Sequence, residues 1–287
     1  MPGVLLALVS ALGFGVSDVY GAVAARRIGA VATCLASYCS GVLVIALGTL
    51  FFPGNWSMEA VTFGAIAGVA TALGFTAFYA AFAIGPVVIL APLIAVLYAV
   101  VPVGWALARG EDLPTIAWVG VGLGIVAVLA LSVAIPGETE RAEHRGARPR
   151  PIALVLAVVS ALVNGGGSIA LDYAPKDSGL SSALIDSAVA VIVLALVFAF
   201  IRRPSVGELD RRGVAIALGS GVLVAVGNGS FVLALQRSSL ALVAVLVSLY
   251  PLATILLARI VFRERVSPVQ WCGVGIAVIA AAMMGAG

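Results

Sequence analysis

The chain has 287 residues, of which 62% are hydrophobic and only 10% charged, with a formal net charge of +3. Soluble domains carry roughly 25% charged residues, and no water-soluble core could hide this much apolar surface, so a cytosolic enzyme or binding module is excluded. The arginines sit at the ends of apolar runs, where they meet lipid headgroups, so the basic balance does not point to nucleic acid.

In lipid only helices and closed barrels satisfy every backbone polar group, and a spanning helix takes about 20 mostly apolar residues. The apolar runs here are too long for barrel strands, so the expected fold class is all-α, a polytopic membrane protein of about ten transmembrane helices. The first span covers about residues 2–25; it opens on Met1-Pro2-Gly3 without a basic n-region and is read as a span, not as a cleaved signal peptide. Spans at about 30–52, 59–84, 87–108 and 114–135 follow. Residues 136–151, with Glu138, Glu140, Arg141, Glu143, His144, Arg145, Arg148 and Arg150, form the only long polar segment and are read as a linker. Beyond it lie spans at about 152–173, 180–201, 213–236, 239–262 and 268–286. The expected organisation is therefore a first five-helix repeat at 1–135 and a second at 152–287.

A repeat is visible in the residues themselves. Glu111, Trp118, Gly120 and Gly122 match Glu264, Trp271, Gly273 and Gly275 at a constant offset, and Leu8-Val9-Ser10-Ala11-Leu12 resembles Val158-Val159-Ser160-Ala161-Leu162. With an odd number of helices per half, the second copy enters the membrane upside down, an inverted repeat of the kind found in secondary transporters.

Each half also closes on an acidic residue and a Gly-rich last helix, with Gly110-Glu111 before Gly120, Gly122 and Gly124, and Arg263-Glu264 before Gly273 and Gly275. A proline-initiated segment, Pro251-Leu252-Ala253-Thr254, precedes the second of these. In these features the chain resembles the drug/metabolite transporter superfamily, specifically its EamA-type exporters. It departs from that pattern where Tyr98 stands opposite Pro251 and where Arg263, in place of glycine, precedes Glu264. The resemblance implies a helical bundle in a bacterial cytoplasmic membrane, with a central cavity lined mainly by helices 1, 3, 4, 6, 8 and 9. It also implies alternating access of small metabolites such as amino acids, by a monomer or homodimer.

Ionisable groups inside a span are costly enough to be functional candidates, and Asp18, Asp172 and Asp186 qualify as coupling or charge-pairing groups. Asp18 lies roughly 10 Å inside the end of its helix at 1.5 Å per residue, and protons are the coupling ion such carboxylates would serve. On the sixth span Ser160, Asn164, Ser168 and Asp172 recur every four residues and form one polar stripe; Ser10, Phe14 and Asp18 occupy the matching stripe of the first. Asn164 beside Gly165-Gly166-Gly167 and Asn228 between Gly227 and Gly229 offer a donor and an acceptor to a substrate. Ser168 and the aromatic residues Phe75, Tyr79, Tyr98, Phe231 and Tyr250 complete the candidate substrate-binding set, and Pro92, Pro102 and Pro251 are candidate hinges. Each has a plainer reading as well, in which the polar groups and rings simply hold helices together.

The three cysteines, Cys34, Cys39 and Cys272, lie in apolar runs without Cys-x-x-Cys spacing, and the one histidine, His144, is in the linker, so no metal site and no cofactor are expected. The Gly-rich segments lack the Lys-Ser/Thr of a phosphate-binding loop, which argues against ATP-driven transport. A secondary transporter exporting an amino acid or similar small metabolite is the leading expectation. Efflux of cationic or aromatic drugs and flipping of a lipid headgroup are the alternatives within transport, and a non-transporting assembly or sensor subunit is the alternative outside it. Orientation divides two arguments. With alternating spans, Arg109, Lys176 and Arg237 fall on the face that holds the termini, and the other thirteen of the 16 Lys and Arg fall on the opposite face. The family resemblance implies cytoplasmic termini, whereas the positive-inside rule puts the termini outside.

Overall fold

A computed structural model describes residues 2–85, 87–111, 113–131, 151–200, 210–253 and 268–286. It is all-helical over these residues, with ten helices. They are α1 (Pro2–Ile28), α2 (Ala30–Gly48), α3 (Met58–Ile84), α4 (Val87–Ala108) and α5 (Thr115–Leu131), then α6 (Pro151–Asp172), α7 (Ser181–Phe200), α8 (Arg211–Leu235), α9 (Leu240–Val247) and α10 (Pro268–Ala286). Among the described residues six of them, α1, α2, α3, α6, α7 and α8, are long and apolar enough to cross a membrane. The polar segment from 136 to 150, including His144, and the motif residues Arg263 and Glu264 lie outside the described residues.

Local sequence sets the ends. Ser57 caps α3, its hydroxyl accepting from the Ala60 amide at 3.1 Å, and Ser239 caps α9 by accepting from Leu242 at 3.4 Å. Gly29 separates α1 from α2 with φ of +82°, and Gly110 ends α4 at φ of +66°, both left-handed conformations that cost other residues energy. At Gly110 the Glu111 amide folds back on the Ala106 carbonyl at 3.0 Å, which satisfies a carbonyl the helix would otherwise leave open. The outward surfaces are apolar, with Leu5, Leu12, Leu43, Leu47, Ile192 and Phe200 all exposed, as lipid-facing positions require.

Helices of the two halves pack in a reciprocal pattern. With α6–α10 taken as counterparts of α1–α5, the α1–α8 contact is matched by α3–α6, α2–α8 by α3–α7, and α1–α9 by α4–α6. The contacts α2–α7, α4–α9 and α5–α10 pair each helix with its own counterpart. The close approaches are reciprocal too. The Asp186 carbonyl on α7 lies against Gly68 of α3, and the Ser37 carbonyl on α2 lies against Gly221 of α8, so neither glycine has room for a Cβ. Hydrogen bonds between halves reinforce the packing: Ser37 Oγ donates to the Ala217 carbonyl and Ser40 Oγ to the Leu218 carbonyl, both at 2.8 Å, and Ser220 Oγ donates to the Ser17 carbonyl at 3.0 Å.

Candidate functional site

Between the halves lies a cavity of about 700 Å³, counted with the space at its mouth. One wall belongs to the first half. Phe14 and Asp18 are one turn apart on α1, and Thr71, Phe75 and Phe78 share a face of α3, because i, i+4 and i+7 positions line up on a helix. Tyr38 of α2 completes this wall. Phe75 is the hub of an aromatic cluster, its ring centroid 6.5 Å from Phe14, 6.0 Å from Tyr38 in an edge-on approach and 5.9 Å from Phe78. Such tilted and edge-on pairs leave ring faces available to a cation or an apolar ligand.

The facing wall is made by Asn164, Gly167, Ser168 and Leu171 on α6, Asn228 and Phe231 on α8, Ile94 and Tyr98 on α4, and Val247 and Tyr250 at the end of α9. The cavity helices are thus the six implied by the sequence resemblance, with α2 added through Tyr38. The polar stripe of α6 is internally bonded. Asn164 Nδ2 donates to Ser160 Oγ at 3.3 Å, Ser168 Oγ donates to the Asn164 carbonyl at 3.0 Å, and the Tyr98 hydroxyl lies 2.8 Å from Ser168 Oγ.

The three candidate carboxylates have different surroundings. Asp18 is only 7% exposed and lines the cavity, and among the described residues nothing hydrogen-bonds to it or forms an ion pair with it. Asp186, at 1% exposure, sits behind the wall: Thr71 Oγ1 donates to its Oδ1 at 2.8 Å and Asn228 Nδ2 to its Oδ2 at 2.6 Å. Asp172 lies away from the cavity, at the end of α6, where its carboxylate meets Lys176 Nζ at 2.9 Å and Arg109 at 3.2 Å. Arg109 also stacks over Tyr173 at 4.7 Å. Asp172 is placed as a clamp between the ends of α4 and α6.

Of the other sequence candidates, Asn164, Asn228, Tyr98, Tyr250, Phe75, Phe231 and Ser168 all reach the cavity, whereas Tyr79 is buried against Gly21 of α1 and does not. Pro102 is buried within α4, which continues through it, and Pro92 stands in the same helix with its side chain outside the described residues. Pro251 follows a break: α9 ends at Val247, Ser248 and Leu249 form a turn, and helical backbone resumes at Tyr250. The residues not singled out as site residues from sequence are Phe14, Tyr38, Thr71, Phe78, Ile94, Gly167, Leu171 and Val247. Thr71 and Phe78 could have been found from their helical register with Phe75, and Tyr38 from the polar run Thr33, Ser37, Tyr38 inside an apolar span.

Comparison with known proteins bears on this architecture. A model of the EamA-like transporter family matches residues 151–286. Through its second half, the chain is thus similar to the EamA-like transporter family. That similarity points to a membrane transporter of the drug/metabolite transporter superfamily. No curated protein matches the chain. A solved crystal structure, described only as that of a protein, aligns with 98% of this chain and 95% of its own length at a TM-score of 0.70 and 17% identity. At that identity the likeness is one of fold, and the EamA-like chain shares its architecture over nearly its whole length.

Proposed function

We propose that this protein is a secondary transporter of a bacterial cytoplasmic membrane that exports an amino acid or similar small amine-bearing metabolite by alternating access, with protons as the coupling ion. The observation that carries the reading is Asp18: a carboxylate 7% exposed, without a partner among the described residues, facing a cavity whose described lining contains no Lys or Arg. A charge held in a low-dielectric site without a partner is costly, and a cationic group on the cargo is the partner this one lacks. Two five-helix halves, 1–135 and 152–287, arranged as an inverted repeat, would rock about the cavity, and the reciprocal helix pairing supports that arrangement. The aromatic cluster around Phe75 favours a second reading, efflux of larger aromatic or cationic compounds, through contact between cation and ring face.

The test is flux in proteoliposomes with labelled amino acids, amines and drug cations, with and without an imposed proton gradient. Asp18→Asn removes the charge and keeps the shape, and a lost hydrogen bond to a charged group corresponds to a KM raised about 10- to 100-fold for amine-bearing cargo. Flux unaffected by this substitution rejects Asp18 as the recognising group, and absence of flux for every compound rejects transport.

A further inference from the structure

The hydrogen-bond directions around the cavity narrow the cargo further, on the reading that Asp18 binds an amine. An ionised carboxylate can only accept. Both neighbours of Asp186 must therefore donate to it: Thr71 Oγ1 at 2.8 Å and Asn228 Nδ2 at 2.6 Å, the amide also reaching Ser187 Oγ at 3.5 Å. With its nitrogen held by Asp186, the planar amide of Asn228 turns its Oδ1 away. Among the described residues that oxygen accepts no hydrogen bond, and Asn228 lines the cavity.

Three further donors are spent in the same way. The Ser168 hydroxyl proton goes to the Asn164 carbonyl at 3.0 Å, so the Tyr98 hydroxyl, 2.8 Å from Ser168 Oγ, must donate there. Asn164 turns its own nitrogen to Ser160 Oγ at 3.3 Å. Thr71, Ser168 and Tyr98 thus have no proton left for a ligand; the cavity is lined besides by the Asp18 carboxylate, its one charged group among the described residues, the hydroxyls of Tyr38 and Tyr250 and the amides of Asn164 and Asn228. A substrate carboxylate would find no cation among the described lining residues and would meet the like charge of Asp18. An ammonium with its N–H groups would find a charge and an acceptor.

We infer that the site selects monocationic amines over zwitterionic amino acids, taking cargo whose carboxyl group is absent or blocked as an amide or ester, and that Asp186 is the positioning residue that sets this preference by orienting Asn228. Asp186 does not touch the cargo. Its effect is exerted through the direction in which the Asn228 amide is held.

Three compounds sharing one ring and one ammonium test it: phenylethylamine, phenylalanine amide and phenylalanine. Affinity is measured on the purified full chain in detergent and flux in proteoliposomes. The amine and the amide are expected to bind at least about tenfold more tightly than the zwitterion, the scale of one hydrogen bond to a charged group. Asp186→Asn frees the Asn228 amide to turn and is expected to bring that ratio toward unity, with Asp186→Glu restoring it; a role in folding alone would lower all three affinities together and leave the ratio fixed. Asn228→Ala removes the acceptor, and with it one of the two donors to Asp186, and is expected to weaken the amine and the amide more than phenylalanine. Phenylalanine binding as tightly as its amine to the wild-type protein, or a ratio unmoved by D186N and N228A, overturns the narrowing while leaving transport intact. No flux of any of the three, nor of the wider panel, overturns the transport reading itself.

Discussion

Asp210 shows what a carboxylate does when water is at hand. It precedes α8, receives Arg27 Nη1 at 2.8 Å and caps the helix by accepting from the Arg212 amide at 3.1 Å. The hydrogen bond from Arg27, followed by that from the Arg212 backbone, holds its carboxyl below the ordinary carboxylate range. A carboxyl depressed on folding stabilises the protein above its unfolded value, and that contribution is lost as pH falls through the lower, folded value. Asp210→Asn should therefore lower the melting temperature at neutral pH and make no difference once the solution is acid enough to protonate the wild-type side chain. A difference that persists in acid would show that the capping oxygen, and not the charge, is what matters. Asp172, clamped between Arg109 and Lys176, belongs to the same class of helix-end carboxylate. Sequence put Asp18, Asp172 and Asp186 together because each is an ionisable group in an apolar run. What separates them is the partner brought by another element: Arg109 from the end of α4 for Asp172, Thr71 and Asn228 from α3 and α8 for Asp186, and, among the described residues, nothing for Asp18. Such partners lie far away in the chain, and no local pattern encodes them.

At the scale of elements, α9 is where the sequence was least literal. Hydropathy alone runs a single span from about 239 to 262, yet the regular helix stops at Val247, and the Leu249 amide bonds the Leu246 carbonyl in a tighter turn at 3.2 Å. Pro251 supplies the cause. It has no N–H for the Val247 carbonyl, and its ring crowds the preceding turn. Both Val247 and Tyr250 line the cavity, so the break sits at the site. Pro251→Ala should let the helix run on, raising stability by about 1–3 kcal/mol as read by thermal unfolding in detergent, and slowing flux by stiffening the segment. Unchanged stability and flux would mean that the turn at Ser248-Leu249 persists without the proline. The second span differs in a smaller way, ending at Gly48 where hydropathy carries on to 52, because Thr49 to Phe52 turn to meet the α6–α7 loop and Phe52 accepts from the Leu180 amide at 3.4 Å. Hydropathy reads burial in lipid and cannot see that a loop is recruited by another loop.

For the molecule as a whole, the repeat in Glu111, Trp118 and their counterparts was legible, but its consequence for the site was not. At the offset that aligns Ser10 with Ser160, Phe14 and Asp18 correspond to Asn164 and Ser168. The two halves therefore present unlike chemistry at matched positions, a ring and a charge on one wall and neutral polar groups on the other. Membrane orientation is decided at this same scale. Gly3 at the start of α1 lies against Ser238, the Lys176 Nζ donates to the Leu235 carbonyl at 2.8 Å, and Arg109 meets Asp172, so Arg109, Lys176 and Arg237 gather on the face that holds the N-terminus. Arg26, Arg27, Arg211 and Arg212 lie at the other, where Arg27 meets Asp210. The remaining cations, at 141–150, 202–203 and 259–265, lie outside the described residues, and alternation of the spans read from the sequence assigns them to that second face. All of these connections are short, which is the regime in which the positive-inside rule sets topology, and the imbalance is three against thirteen. The face holding the termini is thus expected outside the cytoplasm. A C-terminal fusion to an enzyme that matures only beyond the cytoplasmic membrane should be active, and a fusion to a fluorescent protein that folds only in the cytoplasm should be dark. The reverse pair of results would turn the protein over in the membrane and leave the cavity and its lining residues as they are, because their geometry does not depend on which face is cytoplasmic.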